Sequence, residues 1–246
     1  CITITDVDGL VQALAFARRQ HMPVSVLGEG SNVICRYRIP GLVLLVRSKG
    51  RTVLADDGRR VTLRVAAGEN WHQLMLWCHT QGLHGFENLA LIPGTVGAAP
   101  VQNIGAYGAE VADFITEVEV CRRSTGECLV LNRDACEFGY RDSIFKHPNG
   151  CDYVITAVRF ALARESQPVA DYPSLKTALK GLPITHEAVL TAVINTRTQR
   201  LPDPWQQPNV GSFFKNPVVS RSIGERLRRQ YPDMPQYVVS EVISDE

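Results

Sequence analysis

The sequence has no long apolar run and no excess of one charge. No apolar stretch approaches the roughly 20 residues that a transmembrane helix needs, so we expect no membrane span. The 26 basic and 25 acidic residues leave a formal net charge of +1, which gives no reason to expect nucleic acid or an anionic membrane as a partner. The segment Cys1 to Thr5 also lacks the basic and apolar regions of a secretory signal.

The sequence also lacks cysteine and histidine patterns that bind metals. Its seven cysteines contain no Cys-x-x-Cys motif, and a scattered, odd set of thiols is typical of a reducing compartment. We therefore expect a cytoplasmic protein. The histidines show no ligand spacing on one predicted face, and we predict no metal site; they are His21, His72, His79, His84, His147 and His186.

The patterns that are present predict an α+β fold. A βαβ unit is expected at the start, with strands at residues 2–4 and 24–27, a helix capped by Asp6 or Asp8, and a further strand at 42–46. After residue 48, strands are expected at 61–65, 118–121, 128–131 and 154–162, with a helix at 70–80. Thr185 can cap a later helix, and the capping box Ser222–Glu225 opens a short basic one.

A glycine loop follows the predicted strand at 24–27. It reads Gly28, Glu29, Gly30, Ser31 and Asn32. Glycines after a strand let backbone N–H groups converge on an anion, and Ser31 and Asn32 add side-chain donors. An ordinary tight turn explains the same residues equally well. The loop is not the Rossmann fingerprint, because the next segment is predicted as a strand.

A second segment, residues 91–108, is nearly bare of large side chains. It has four glycines and three alanines in eighteen residues. Such a surface suits a flat ligand held by backbone donors, with Thr95, Gln102 and Asn103 as polar tips. Tight helix-on-strand packing is the alternative. Because this segment follows the glycine loop by about 65 residues, we favour a dinucleotide shared between the two segments.

Four motifs occur together in order. They are Gly28–Asn32, Ile92–Gly108, Tyr140–Lys146 (Tyr-Arg-Asp-Ser-Ile-Phe-Lys) and Gly211–Pro217 (Gly-Ser-Phe-Phe-Lys-Asn-Pro). The set resembles the type I family of UDP-N-acetylenolpyruvoylglucosamine reductases. The resemblance implies a vanillyl-alcohol-oxidase-type fold: a two-subdomain FAD-binding domain (PCMH type), at residues 1–48 and 49–203, followed by a partial α/β substrate-binding domain at 204–246. A substrate-side insertion is expected at about 163–200.

The resemblance implies bound FAD and NADPH as co-substrate. It assigns the glycine loop to the FAD pyrophosphate, the second segment to the flavin, and Ile155 to the neighbourhood of the ring. The cofactor residues so implied are Gly28, Glu29, Gly30, Ser31, Asn32, Pro93, Gly94, Thr95, Gly97, Ala98, Gln102, Asn103, Gly105, Ala106, Tyr107, Gly108 and Ile155.

The resemblance also implies the substrate, UDP-N-acetylglucosamine enolpyruvate, and a role in peptidoglycan synthesis, hence in cell-wall biogenesis, cell shape and division. Arg141 would stabilise charge on the enolpyruvyl carboxylate, and Ser212 would donate a proton to carbon. Tyr140, Tyr172, Arg200 and Asn216 would join Arg141 and Ser212 in binding the substrate. Family members carry Lys at the position of Arg200, and Arg provides a different phosphate geometry.

Two alternatives stay open at this point. Family members continue past residue 246 and supply a glutamate that no residue here matches, so we expect an incomplete copy that binds FAD weakly or not at all and turns over poorly. The chain would then be a non-catalytic FAD- or nucleotide-binding fragment. It could also be another flavin oxidase or dehydrogenase of the same fold, although Gly211–Pro217 argues against this. We expect a monomer.

Overall fold

The computed structural model describes residues 1–35, 38–204 and 206–238. It divides into two compact units, Cys1–Gly211 and Ser212–Glu246. The first unit contains both of the larger sheets. Within residues 212–238, the part of the second unit that the structure describes, there is one helix.

A small parallel sheet opens the first unit. Its strands are β1 (Ile2–Ile4), β2 (Val24–Leu27) and β3 (Leu42–Val46), in the order β1-β3-β2. Helix α1 (Val7–Arg19) joins β1 to β2. Asp6 caps α1, because its Oδ1 accepts the Gly9 N–H at 2.7 Å. These elements match the predicted βαβ unit.

A larger antiparallel sheet follows. Its strands are β4 (Arg51–Asp56), β5 (Arg60–Ala66), β8 (Ile115–Arg122), β9 (Cys128–Asn132) and β10 (Tyr153–Ala163), in the order β4-β5-β10-β8-β9. A short hairpin, β6 (Gly105–Ala106) and β7 (Ala109–Glu110), lies outside this sheet. The fold is α+β, because helices accompany one parallel sheet and one antiparallel sheet.

Helices cover the larger sheet. They are α2 (Trp71–Thr80), α3 (Pro173–Ala178) and α4 (His186–Arg200), and their buried residues share one core with β5, β8 and β10. Asn70 caps α2 and Thr185 caps α4, each by accepting a backbone N–H with its side chain. Single turns of 3-10 helix lie at Glu87–Leu89, Val96–Ala98, Val111–Asp113, Asp134–Cys136 and Ile144–Lys146.

Helix α1 joins the two sheets. Its buried face packs on β1 and β3 and also meets Cys121 of β8 and Val154 of β10, in a second core. The Arg18 guanidinium donates to the Arg123 carbonyl at 3.0 Å, and the Arg123 guanidinium donates to the Val24 carbonyl at 3.1 Å. The two sheets are therefore fixed relative to each other, which fixes the loops that leave them.

The expectation that all seven cysteines are free thiols is wrong for one pair. Cys121 and Cys128 form a disulfide with their Cα atoms 4.1 Å apart. The two residues lie directly opposite each other on antiparallel β8 and β9, where the pairing register brings their side chains together. Free thiols remain at Cys1, Cys35, Cys78, Cys136 and Cys151.

The second unit carries helix α5 (Arg221–Gln230), none of whose residues is buried. Its start differs from the predicted capping box. Ser220, not Ser222, is the N-cap, because the Ser220 hydroxyl accepts the Ile223 N–H. Ser222 lies within the first turn, with its hydroxyl 3.0 Å from that of Ser220.

Among the described residues, we find no helix that combines the length and the apolar character needed to cross a bilayer.

Candidate functional site

The two glycine segments meet. A Cβ on Gly28 would lie 2.5 Å from Thr95 Oγ1, and one on Gly94 would lie 3.2 Å from Ser31 Oγ. The Gly94 N–H donates to Glu29 Oε2 at 3.2 Å. The glycine loop and the 91–108 segment thus form one surface, as a shared ligand requires.

Residues outside both motifs hold the glycine loop in place. The Asn70 amide donates to Glu29 Oε1 at 2.8 Å, and Arg47 donates to the Gly28 carbonyl at 2.9 Å. The Asn32 amide donates to the Val210 carbonyl at 2.6 Å. Sequence reasoning missed Arg47 and Asn70, because neither belongs to a motif and only the fold brings them to the loop.

Parts of this surface are uncovered backbone. Gly30 and Gly108 have φ of 73° and 85°, and a Cβ on either would meet no atom within 4 Å. Pro93 and Ala98 are also exposed, while Thr95 is buried at 3% exposure. Exposed backbone beside small side chains fits a flat, anionic ligand such as FAD. Gly97 instead allows close packing within the protein, since a Cβ there would be 2.6 Å from that of Ala67.

Asn103 differs from its predicted role as a polar tip. Its side chain is 1% exposed and is used within the protein. The amide donates to Glu110 Oε2 at 2.7 Å and to the Gly139 carbonyl at 2.9 Å, and Oδ1 accepts the Ala112 N–H at 3.0 Å. Asn103 therefore shapes the loop, in which its own φ is 43°.

Arg141 lies against the same segment. Its guanidinium donates to the Gly105 carbonyl at 2.5 Å and to Glu110 Oε1 at 3.1 Å. It also lies 5.1 Å from the centre of the Tyr140 ring. Burial raises the pKa of Glu110, opposed by the Arg141 charge and the Asn103 hydrogen bond. Arg141 is thus a cation fixed by hydrogen bonds at the edge of the predicted flavin surface. No sequence motif indicated its partner Glu110.

Tyr107 connects this segment to the predicted insertion. Its ring meets that of Tyr172 edge to face, with centroids 5.4 Å apart. The Arg197 guanidinium donates to the Leu91 carbonyl at 3.3 Å; burial lowers the pKa of Arg197, and a hydrogen bond with Tyr107 opposes this. Arg200, the residue selected from the sequence, is exposed at the end of α4. Arg197 had no motif to identify it.

The remaining predicted residues lie in separate places. Ile155 is buried at 8% exposure in β10, next to an irregularity in its pairing with β8. Gln102 and Ala106 are half-buried in the 91–108 segment. Ser212 and Asn216 lie in the second unit, where Ser212, Phe213 and Phe214 are exposed.

Comparison with known proteins identifies the class. Residues 1–132 match the family described as FAD binding domain. The chain is 44% identical over 237 residues to UDP-N-acetylenolpyruvoylglucosamine reductase of Pseudomonas putida, covering 95% of this chain and 70% of the relative. The corresponding enzyme of Pasteurella multocida is 44% identical over 236 residues, covering 96% of this chain and 69% of that one.

A solved structure agrees. The crystal structure of UDP-N-acetylenolpyruvylglucosamine reductase from Thermus caldophilus matches with a TM-score of 0.62 at 26% identity, covering 91% of this chain and 71% of that one. The chain belongs to the UDP-N-acetylenolpyruvoylglucosamine reductase family.

Proposed function

We propose that this chain binds FAD along the two glycine segments and reduces UDP-N-acetylglucosamine enolpyruvate to UDP-N-acetylmuramate with NADPH, in peptidoglycan precursor synthesis. Family membership supports the reaction. The observation that carries the site assignment is the meeting of Gly28 with Thr95 and of Glu29 with Gly94, beside Arg141.

Bound FAD supplies hydride transfer between NADPH and the substrate. Arg141 holds the enolpyruvyl carboxylate and stabilises the charge that develops when the terminal carbon of the double bond gains hydride. Glu110 and the Gly105 carbonyl fix the guanidinium before substrate arrives. Ser212 gives a proton to the neighbouring carbon, which completes the addition of two hydrogens across the double bond.

A substitution on the exposed surface tests FAD placement. Ala98 is exposed, so Ala98→Glu leaves the core intact but puts a carboxylate where we place the cofactor. FAD affinity, measured by flavin fluorescence titration, should fall at least about tenfold, because an unpaired buried charge costs more than ~1.4 kcal/mol. Ala178→Glu, at an exposed position of α3, is the control. If the two variants bind FAD with equal affinity, the cofactor does not lie on this surface.

Half-reactions test the two chemical residues. In Arg141→Lys and Ser212→Ala, reduction of bound FAD by NADPH should continue while formation of UDP-N-acetylmuramate falls by orders of magnitude. Lys cannot keep contacts to both Gly105 and Glu110, since it lacks the guanidinium fork. Substrate should perturb the flavin absorbance of Ser212→Ala more than that of Arg141→Lys. Wild-type product formation in either variant would refute its role.

We also propose that the chain acts as a monomer in the cytoplasm, where nucleotide sugars and NADPH are available. The cysteine pattern no longer supports this location, given the Cys121–Cys128 disulfide. Light scattering of the purified chain would reveal a dimer and so refute the monomer.

A further inference from the structure

Four side chains that belong to neither glycine motif meet where α2 ends and α4 begins. They are His79 of α2, His84 and Glu87 of the loop and short turn that follow, and His186 at the start of α4. We call them the histidine–glutamate cluster. The prediction of no metal site rested on the lack of ligand spacing on any one predicted face, and the fold brings three histidines together from different elements.

The Nδ1 atoms of all three imidazoles lie within 4 Å of one carboxylate oxygen. Glu87 Oε1 lies 3.0 Å from Nδ1 of His84, 3.1 Å from Nδ1 of His186 and 3.9 Å from Nδ1 of His79. The Glu87 side chain is 5% exposed. One possible ligand atom from each of His79, His84 and Glu87 lies within 4.8 Å of the others.

The outward-facing atoms of the cluster are already held. His79 Nε2 lies 2.7 Å from Glu187 Oε2, and His186 Nε2 lies 2.9 Å from the Ser166 carbonyl. Both partners are acceptors, so these Nε2 atoms carry the hydrogens. The second Glu87 oxygen accepts the Gly85 N–H at 2.8 Å. Metal-binding histidines are oriented in this way, by a carboxylate or carbonyl on the nitrogen that faces away from the metal.

This arrangement leaves a buried lone pair beside the carboxylate. In its neutral form His79 presents an acceptor Nδ1, 3.9 Å from the acceptor Glu87 Oε1 and without a hydrogen-bond partner. The Nδ1 of His186 is also buried without such a partner, but its lone pair lies in the plane of a ring stacked parallel to that of His84 and does not point at Oε1. Acceptors that face each other without water are unfavourable. A cation among them removes the conflict.

We propose that the histidine–glutamate cluster is a binding site for a divalent transition-metal ion, with Zn²⁺ as the best fit. Zn²⁺ takes imidazole nitrogen and carboxylate oxygen at about 2.0–2.1 Å in a tetrahedron, so its ligand atoms are about 3.3 Å apart. The distances of 3.0 to 3.9 Å to Glu87 Oε1 bracket that value. His79, His84 and Glu87 are the first three ligands.

His186 supplies the fourth position after a rotation. Its ring stacks on that of His84, with centroids 3.8 Å apart and planes 9° from parallel. Two parallel stacked imidazoles cannot both direct an in-plane lone pair at one ion, so the His186 ring leaves the stack when metal binds. The ion would fasten α4, which carries Arg197, to α2. This role is independent of the proposed reduction.

Zinc titration of the chelator-treated chain tests the site. By isothermal titration calorimetry the wild type should bind one more equivalent of Zn²⁺ than His84→Gln, and its melting temperature should rise with Zn²⁺ where that of His84→Gln does not. His21→Asn is the control: His21 is exposed, and Asn tolerates its φ of 49°. The exposed thiols are common to all three proteins and cancel from the comparison.

A second variant separates ligation from folding. Glu187→Gln leaves all proposed ligands in place but weakens the hydrogen bond to His79, and it should lower Zn²⁺ affinity about 10- to 100-fold. If His84→Gln fails to fold, this variant still gives the answer. Zn²⁺ binding that is equal in stoichiometry and affinity in the wild type, Glu187→Gln and any folded His84→Gln would overturn the proposal.

Discussion

Gly28 lies where the glycine loop touches the second segment, and it has no room for a side chain. A Cβ there would lie 2.5 Å from Oγ1 of Thr95, which is buried and cannot move far. We expect Gly28→Ala to lower the free energy of unfolding by about 1–3 kcal/mol, as overpacking does, and to weaken FAD binding by separating the two segments.

Chemical denaturation and FAD titration measure the two effects of Gly28→Ala. Gly224→Ala is the control, because Gly224 lies in α5 and its nearest atom to an added Cβ is 3.8 Å away. That variant should be neutral or slightly stabilising. A Gly28→Ala protein as stable as the wild type would mean that the segments are not in contact.

Glu110 gives the site a pH dependence. Burial raises its pKa against the opposing effects of Arg141 and Asn103. A raised carboxyl pKa means that the folded chain binds the proton more tightly than the unfolded chain does. This contribution to stability is therefore present below the ordinary carboxyl pKa and is lost as the pH rises through the raised one.

Glu110→Gln should remove the loss of stability that Glu110 causes as the pH rises. The fixed cost of placing an amide beside Arg141 and Asn103 does not vary with pH, so the readout is the slope of unfolding free energy against pH. The slope should be less negative in the variant than in the wild type across the interval above the ordinary carboxyl pKa. Glu127→Gln, at an exposed carboxylate, controls for the loss of one charge. Identical slopes in wild type and Glu110→Gln would contradict the assignment.

At the scale of elements, strands β2 and β3 agree with the sequence prediction to the residue, because each is a short, mainly apolar run that begins directly after Pro or Gly. Strand β4 was not predicted. It lies at the sheet edge with most of its residues exposed, so it has no alternation to detect. Helix α3 was missed as well, since its six residues bury only Leu175.

Part of the candidate site could likewise be predicted from the sequence, and part could not. The meeting of the two glycine segments was predictable, because both motifs are local and both favour bare backbone. Arg47, Glu110 and Arg197 were not, since each acts through a contact set by the tertiary fold. The histidine–glutamate cluster is the clearest example. His79 and His186 lie on different helices, and their convergence depends on how α4 packs near α2.

The β8–β9 pair should resist alkylation. We expect five of the seven cysteines to react with iodoacetamide in denatured, unreduced protein, and all seven after reduction. In the native state only Cys1, Cys35 and Cys151 should react, because burial raises the pKa of both Cys78 and Cys136 to about 12.

Cys128→Ser is the control for this experiment. Without its partner Cys121 becomes a thiol, so every remaining cysteine of the denatured variant should be labelled without reductant. If denatured wild-type protein is fully labelled without reductant, the two residues are opposed thiols and the disulfide is absent from the purified chain.

At the scale of the whole molecule, the proposed cofactor residues lie in one unit and the proposed proton donor lies in the other. The glycine loop, the 91–108 segment, Arg141 and Ile155 all belong to Cys1–Gly211, and Ser212 and Asn216 belong to Ser212–Glu246. Both cores lie in the first unit. Among residues 212–238, none is buried. Cofactor binding and the proposed roles of Ser212 and Asn216 should therefore be separable by truncation.

A chain ending at Gly211 should keep FAD and lose the response to substrate. It retains Val210, whose carbonyl accepts from Asn32, and we expect its FAD dissociation constant to stay within about threefold of that of the 246-residue chain, a difference under ~0.7 kcal/mol. FAD at 100 times its dissociation constant should stabilise both proteins by about 2.7 kcal/mol. The substrate should perturb the flavin absorbance of the longer chain and leave that of the shorter one unchanged. The double variant Ser212→Ala, Asn216→Ala in the longer chain is the control for losing side chains without losing backbone. A shorter chain that keeps the circular dichroism expected of its helices and sheets but no longer binds FAD would show that residues 212–246 contribute to the cofactor site.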